Sequence, residues 1–278
     1  MKFGTLLRIS DPAMADEKFR ELQEAGFSSC QLVYKPAAYD LSLAAPIKAA
    51  ADKYGIEISA QFCGYYDAET TWDLYYGYQN AGLNVEAFRQ SRTEYVKSAC
   101  NFTAALGVED VIIHAGFVPN DPFAPQYASM CAAIYSIASH CKKLGLNLLF
   151  ETGGEAPITL LRLIQDVGTG NLFVNFDPAN ILMYGYGNPT DALEIIGPYV
   201  RNVHGKDGLL PTDPRKLGVE TPVGQGRVDF PAVIAKLKAL GYDRFITIER
   251  EITGEQQKKD IQEAKAFFEN LWKQHSEQ

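Results

Sequence analysis

Five residues of metal-ligand or acid–base type recur along the chain, each closing a short apolar run. They are His114 after Val111-Ile112-Ile113, Glu151 after Leu148-Leu149-Phe150, Asp177 after Phe176, His204 after Val203, and Glu249 after Ile246-Thr247-Ile248. A single carboxylate in such a place is ordinarily a helix N-terminal charge or an ion-pair partner. That explanation works one residue at a time. Three carboxylates brought together would repel one another unless a cation sits between them. Two Glu, one Asp and one His make a hard, oxygen-rich ligand set that suits Mn²⁺, Mg²⁺, Co²⁺ or Fe²⁺ in an octahedral site with open positions, and Zn²⁺ is compatible. One divalent cation is therefore the expected cofactor, held by Glu151, Asp177, His204 and Glu249. For His114 three roles stay open: partner of a ligand, base, or packed core imidazole.

Such a constellation forms only if the intervening chain brings the five together. Strands are expected near 2–7, 29–34, 56–62, 110–114, 146–151, 172–177, 200–204 and 245–249, as near-continuous apolar runs suited to a parallel sheet covered on both faces. Helical periodicity fills 16–25, 43–54, 85–106, 126–144, 158–167, 190–197, 230–240 and 255–273. The phrase Leu/Ala-Gly before an apolar strand recurs at Gly26, Gly107, Gly145 and Gly241, where a helix stops. Eight β-then-α units without a composition break predict an α/β fold, a single (β/α)8 TIM barrel over residues 1–278, with its active site at the C-terminal face of the strands. No GxGxxG opens the first helix, which argues against the doubly wound alternative. Two long connections, 63–84 and 205–229, leave strands on that same face.

Composition limits the function classes. Of 278 residues, 26 are Lys or Arg and 34 Asp or Glu, a formal charge of −8 that opposes nucleic-acid binding. A hydrophobic content of 46% excludes disorder. No run of about 18 apolar residues spans a membrane, and the N-terminus reads as a first strand rather than a signal peptide, so a cytoplasmic location is expected. Cys30, Cys63, Cys100, Cys131 and Cys141 include no CxxC pair and are expected to be reduced packing residues. His140 and His275 are expected to be solvated.

The segments Phe150-Glu151-Thr152-Gly153, Asn175-Phe176-Asp177-Pro178-Ala179-Asn180, Val203-His204-Gly205-Lys206-Asp207, Gly224-Gln225-Gly226-Arg227-Val228-Asp229 and Ile248-Glu249 resemble the xylose isomerase-like superfamily of TIM barrels, and within it the bacterial sugar phosphate isomerase/epimerase group. The resemblance implies one divalent ion, commonly Mn²⁺, on a Glu, Asp, His, Glu quartet that maps onto Glu151, Asp177, His204 and Glu249. It also exposes departures. Asn180 stands where the AP endonuclease and ketose 3-epimerase branches carry His, and Gln61 stands where the endonucleases carry His. Glu155 lies four residues beyond the first ligand, whereas the epimerases place their second catalytic Glu six beyond.

A hard cation chelated by adjacent oxygens of a hydroxy-ketone stabilises the enediolate left when a neighbouring proton departs. Returning the proton to the other face is epimerisation, and moving it to the next carbon is isomerisation; loss of a β-substituent is elimination. The expected activity is a sugar isomerase or epimerase on a ketose or related keto-sugar. A lyase or dehydratase on a keto-sugar, keto-glycoside or keto-inositol is the alternative, and a non-catalytic carbohydrate-binding protein the third. Glu151 and Glu249 are the leading proton carriers, with Glu155 and His114 behind them. Asn180, Lys206, Asp207, Arg227 and Trp72 are the candidate substrate contacts. Lys206 and Asp207 could equally pair with each other at the rim. Trp72 belongs to an aromatic loop with Tyr65, Tyr66, Tyr75, Tyr76 and Tyr78 that suits either a sugar-stacking wall or a contact between copies in a homo-oligomer.

Overall fold

The computed structural model describes residues 1–67 and 70–274. Parallel strands close into an eight-stranded barrel: β1 (Lys2–Arg8), β2 (Ser29–Val33), β3 (Glu57–Phe62), β4 (Asp110–Ile113), β5 (Asn147–Glu151), β6 (Leu172–Phe176), β7 (Val200–Gly205) and β8 (Phe245–Ile248). Strands consecutive in sequence are neighbours, and β1 closes on β8 with Lys2 opposite Phe245 and Thr5 opposite Ile248. The connecting helices are α1 (Ala15–Glu24), α2 (Ala44–Lys53), α3 (Glu86–Ala105), α4 (Pro125–Lys143), α5 (Pro157–Val167), α6 (Pro189–Ile196), α7 (Phe230–Ala239) and α8 (Glu255–Gln274). Each of these strands and helices begins and ends within about a residue of its expected bounds, because both signals are strong here: continuous apolar runs and glycine stops. At Gly107 the backbone takes φ +70°, the left-handed turn that ends α3 before β4.

Two layers of packing hold the strand ends in place. Most of the core lies between barrel and helices, while Ala60, Ile112 and Leu149 with Phe62 and Phe173 form a separate small apolar cluster on β3 to β6. At the N-terminal end of the strands, buried Asp110 pairs with Arg201 at 3.1 Å and Arg244 at 3.5 Å. Near the C-terminal ends the chain makes a very close approach at Gly82, which bridges Gly116, and a Cβ on Gly82 would lie 2.1 Å from the Gly116 Cα. That contact ties the 63–84 connection to the end of β4. The connection also carries a short helix, Gly77–Asn80, and the 205–229 connection carries a two-residue antiparallel pair, Asp207–Gly208 with Glu220–Thr221. A further short helix, Pro178–Met183, follows β6 directly. None of these three elements has a strong enough sequence period to be read in advance.

All five cysteines are free thiols, four of them buried, with Cys100 and Cys141 in Sγ contact at 3.2 Å between α3 and α4. His140, expected in solvent, is half-buried instead and bonds Asn101 at 2.8 Å, because the last turn of α4 packs against α3. His275 lies outside the described residues. Among the described residues no helix is long and apolar enough to cross a membrane.

Candidate metal centre and active site

Side chains two apart on a strand point the same way. On β5, Leu149 and Glu151 share the inner face; Asn202 and His204 do so on β7, while Asp177 and Glu249 lie one residue past the ends of β6 and β8, two beyond Asn175 and Thr247. One ligand atom from each of Glu151, Asp177, His204 and Glu249 lies within 4.8 Å of all the others, and all four residues are buried. His204 Nδ1 stands 3.1 Å from Glu249 Oε2, 3.2 Å from Glu151 Oε1 and 3.5 Å from Asp177 Oδ2. Glu151 Oε2, Asp177 Oδ2 and His204 Nδ1 have no hydrogen-bond partner. Buried polar atoms are nearly always satisfied, so three orphans within this one cluster fit a divalent cation.

Neighbouring groups hold these ligands in place. Asp177 caps the helix Pro178–Met183 by accepting from the Asn180 amide through Oδ1, which leaves Oδ2 free. Thr152 Oγ1 clamps the backbone of Asp177 from both sides, donating to its carbonyl at 2.9 Å and accepting from its N–H at 2.8 Å. Asn180 donates through Nδ2 to Glu151 Oε1 at 3.2 Å and to the Thr152 carbonyl at 3.0 Å, and its Oδ1 accepts from Lys206 at 3.4 Å. Expected as a substrate contact, Asn180 is engaged in orienting a ligand and the lysine. On the far side of His204, Nε2 meets Gln31 Oε1 at 2.8 Å and Asn175 Nδ2 at 3.1 Å.

Lys206 and Asp207 do not pair. Lys206 turns inward, 2% exposed, and its ammonium reaches Glu251 at 2.8 Å, Glu249 at 3.2 Å and Asp177 at 3.7 Å. Asp207 turns the other way and accepts four backbone N–H bonds, from Gly208, Val228, Gly224 and Gly226, at 2.8 to 3.1 Å. The carboxylate expected to contact substrate thus holds the 205–229 connection together. The Arg227 side chain is exposed on that turn. His114 reaches the site, with Nε2 3.4 Å from Glu151 Oε2, and Trp72 packs over it at 4.5 Å between ring centroids. Tyr66, Tyr75, Tyr76 and Tyr78 are exposed, whereas Tyr65 is buried and donates to the His114 carbonyl. The two long connections touch: the Leu74 amide donates to the Arg215 carbonyl, and Arg215 lies over the Tyr75 ring.

Sequence reasoning passed over Gln31, Asn175, Glu220 and Glu251. Glu251 is two residues beyond Glu249 and holds Lys206, while its own amide donates to Glu220 at 3.0 Å. The available signal was the same two-residue period, together with polar residues interrupting the apolar runs of β2 and β6.

Charge coupling is strong. Burial opposes a charge on Lys206, but Glu249, Asp177 and Glu251 outweigh it and raise its pKa well above the ordinary lysine value. Burial likewise opposes protonation of His204, yet Glu151 and Glu249 lift its pKa well above that of a free imidazole. For Glu249 burial would raise the pKa; Lys206 and His204 overcome that and hold it far below the usual carboxylate range. Burial pushes Glu155 well above that range, opposed by the Gly153 amide and reinforced by Glu151. One Glu155 oxygen is buried without a partner.

These directions set a pH dependence. The raised His204 pKa stabilises the metal-free fold fully below the unfolded imidazole value, ~6.5, and the contribution is lost as pH rises through the folded value. Coordination requires the Nδ1 proton to leave, so Mn²⁺ loading is expected to release a proton and to tighten as pH rises over that window. Titration calorimetry in two buffers of different ionisation heat counts the proton. Equal heats in both would refute it.

A family model described as "Xylose isomerase-like TIM barrel" matches residues 19–271. Among solved structures, the xylose isomerase domain protein from Planctomyces limnophilus is 28% identical, with a TM-score of 0.88 over 100% of this chain and 99% of that one. A D-tagatose 3-epimerase-like protein shares the fold, with a TM-score of 0.74 at 20% identity over 100% and 99% of the two chains. Among sequences, the L-ribulose 3-epimerase of Mesorhizobium japonicum is 25% identical over 158 residues, 54% of this chain and 49% of that protein.

Proposed function

Because the chain belongs to the xylose isomerase-like TIM barrel family, we propose that it is a cytoplasmic, Mn²⁺-dependent sugar isomerase or epimerase acting on a ketose or related keto-sugar. The observation that carries this reading is the buried Glu151, Asp177, His204, Glu249 cluster with its three orphaned ligand atoms. The 3-epimerase relatives support the ketose class. The cation, when bound, supplies Lewis acidity at the adjacent oxygens of a hydroxy-ketone.

The protein's own groups do the rest. Glu249, in contact with Lys206 and His204, is one of the two leading candidates to take a proton from carbon. Glu151, beside His114, is placed to carry one on its own side of the site. The Lys206 ammonium offers a positive charge to an oxygen that becomes negative, and Asn180 keeps it pointed inward. Glu155, whose pKa burial pushes up, is an acid in reserve. Trp72 and His114 form an aromatic wall at the mouth suited to the apolar face of a sugar, and the exposed Arg227 is available at the rim for a substrate oxygen or phosphate.

The test is incubation of the Mn²⁺-loaded protein with a panel of keto-sugars in D₂O. Deuterium at a carbon alpha to the carbonyl with no loss of mass is the expected result. Loss of water or of an aglycone would instead favour the lyase reading, which the buried Glu155, with its pKa pushed up, and the Lys206 charge support as groups able to meet a leaving oxygen. No turnover across the panel, with metal bound, would refute both. Trp72→Ala is expected to raise KM by about 10-fold, the loss of ~1.4 kcal/mol of stacking, with unchanged oligomer mass. An altered mass with unchanged KM would make the aromatic loop an interface between copies.

A further inference from the structure

His204 must offer a bare Nδ1 to any cation in the quartet, so a neutral ring has to carry its proton on Nε2 and needs an acceptor there. The ring meets two side-chain amides at that atom, and they ask for opposite things. Gln31 presents its carbonyl oxygen at 2.8 Å, which suits an Nε2–H. Asn175 presents its amide nitrogen at 3.1 Å, which suits a bare Nε2 and thus a proton on Nδ1. The two amides also hold each other, with Gln31 Nε2 donating to Asn175 Oδ1 at 3.0 Å, and this bond keeps the Gln31 oxygen turned toward the ring. Gln31, Asn175 and His204 are fully buried on β2, β6 and β7, with no solvent to replace a lost partner.

We propose that Gln31, oriented by Asn175, is a positioning residue that keeps the remaining proton of His204 on Nε2 when the Nδ1 proton leaves, and so sets the cation affinity of the quartet. The inference rests on the metal-centre reading above and adds to it a residue from a strand that supplies no ligand. Without the Gln31 oxygen, only a donor faces Nε2. The ring then keeps its proton on Nδ1, pointed at Glu249 and Glu151, where the cation must bind.

The test compares Mn²⁺ affinity of wild type, Gln31→Leu and Gln31→Glu by titration with electron paramagnetic resonance of the free ion, and records ¹⁵N spectra of the imidazoles in the Zn²⁺-loaded wild type, with His204 assigned by its replacement. The Gln31→Leu protein is expected to bind Mn²⁺ about 10–100-fold more weakly. Gln31→Glu keeps an acceptor at the ring and is expected to restore affinity to at least the wild-type level, an outcome that a purely packing role would not produce. In the loaded wild type, Nε2 is expected to carry a proton. Wild-type affinity in Gln31→Leu, no recovery in Gln31→Glu, or an unprotonated Nε2 would each overturn the proposal. If Gln31→Leu does not fold, the wild-type spectrum decides alone. A wild type that binds no Mn²⁺ at all would overturn the metal-centre reading itself, and is distinguishable for that reason.

Discussion

Glu249→Gln is expected to lose bound Mn²⁺ and turnover together, with activity falling by about 10²–10⁴-fold, the range for removal of a positioned proton carrier. The substitution is nearly isosteric but replaces a carboxylate oxygen 3.1 Å from His204 Nδ1 and 3.2 Å from the Lys206 ammonium by a neutral amide. Folding should survive, because Lys206 keeps Glu251 at 2.8 Å and Asp177 at 3.7 Å. Glu151→Gln removes a ligand on the opposite side, next to His114, and is expected to behave alike. Metal content by mass spectrometry after dialysis and initial rates on the active keto-sugar read both effects. Full Mn²⁺ occupancy in both variants would remove these carboxylates from the ligand set.

Lys206→Met is expected to act in the other direction, on stability before chemistry. Lys206 brings a lysine charge to a cluster of Glu151, Asp177 and Glu249, and removal of one partner from a buried charge network costs about 3–5 kcal/mol. Its raised pKa gives the sign: the stabilisation is complete below the unfolded lysine value, ~10.4, and is lost only above the folded value. The deficit of the metal-free variant should therefore be flat between about pH 6 and 9. Saturating Mn²⁺ should recover much of it, since the cation neutralises the same carboxylates and binds only the folded state. Thermal melts with and without Mn²⁺ check this. A variant as stable as wild type without metal would mean that the carboxylates are not held together by this ammonium.

Strand parity shows how much of the site could be read in advance and where reading stopped. The runs ending at Glu151, Asp177, His204 and Glu249 were legible because continuous apolar strands have few alternatives, and the barrel order then makes distant residues neighbours. The same parity, carried two residues past His204 and Glu249, points Lys206 and Glu251 toward the ligands. Expected strand ends at 204 and 249 hide that parity, so Lys206 is legible only as a candidate substrate contact and Glu251 not at all. Asp207, one position beyond Lys206, faces the opposite way, into a ring of four amides that the sequence does not reveal.

The amino-acid sequence by itself determined the barrel, the element bounds and the candidate ligand types, since these follow from local periodicity, glycine stops and side-chain chemistry. Only the tertiary structure decided that Gln31 on β2 and Asn175 on β6 meet at one nitrogen of His204, that Asn180 serves Glu151 and Lys206, and that the two long connections touch at the mouth. Those outcomes depend on which way individual amides and loops turn inside a closed barrel. Hydrogen-bond satisfaction among buried neighbours far apart in sequence fixes that choice, and no local pattern encodes it.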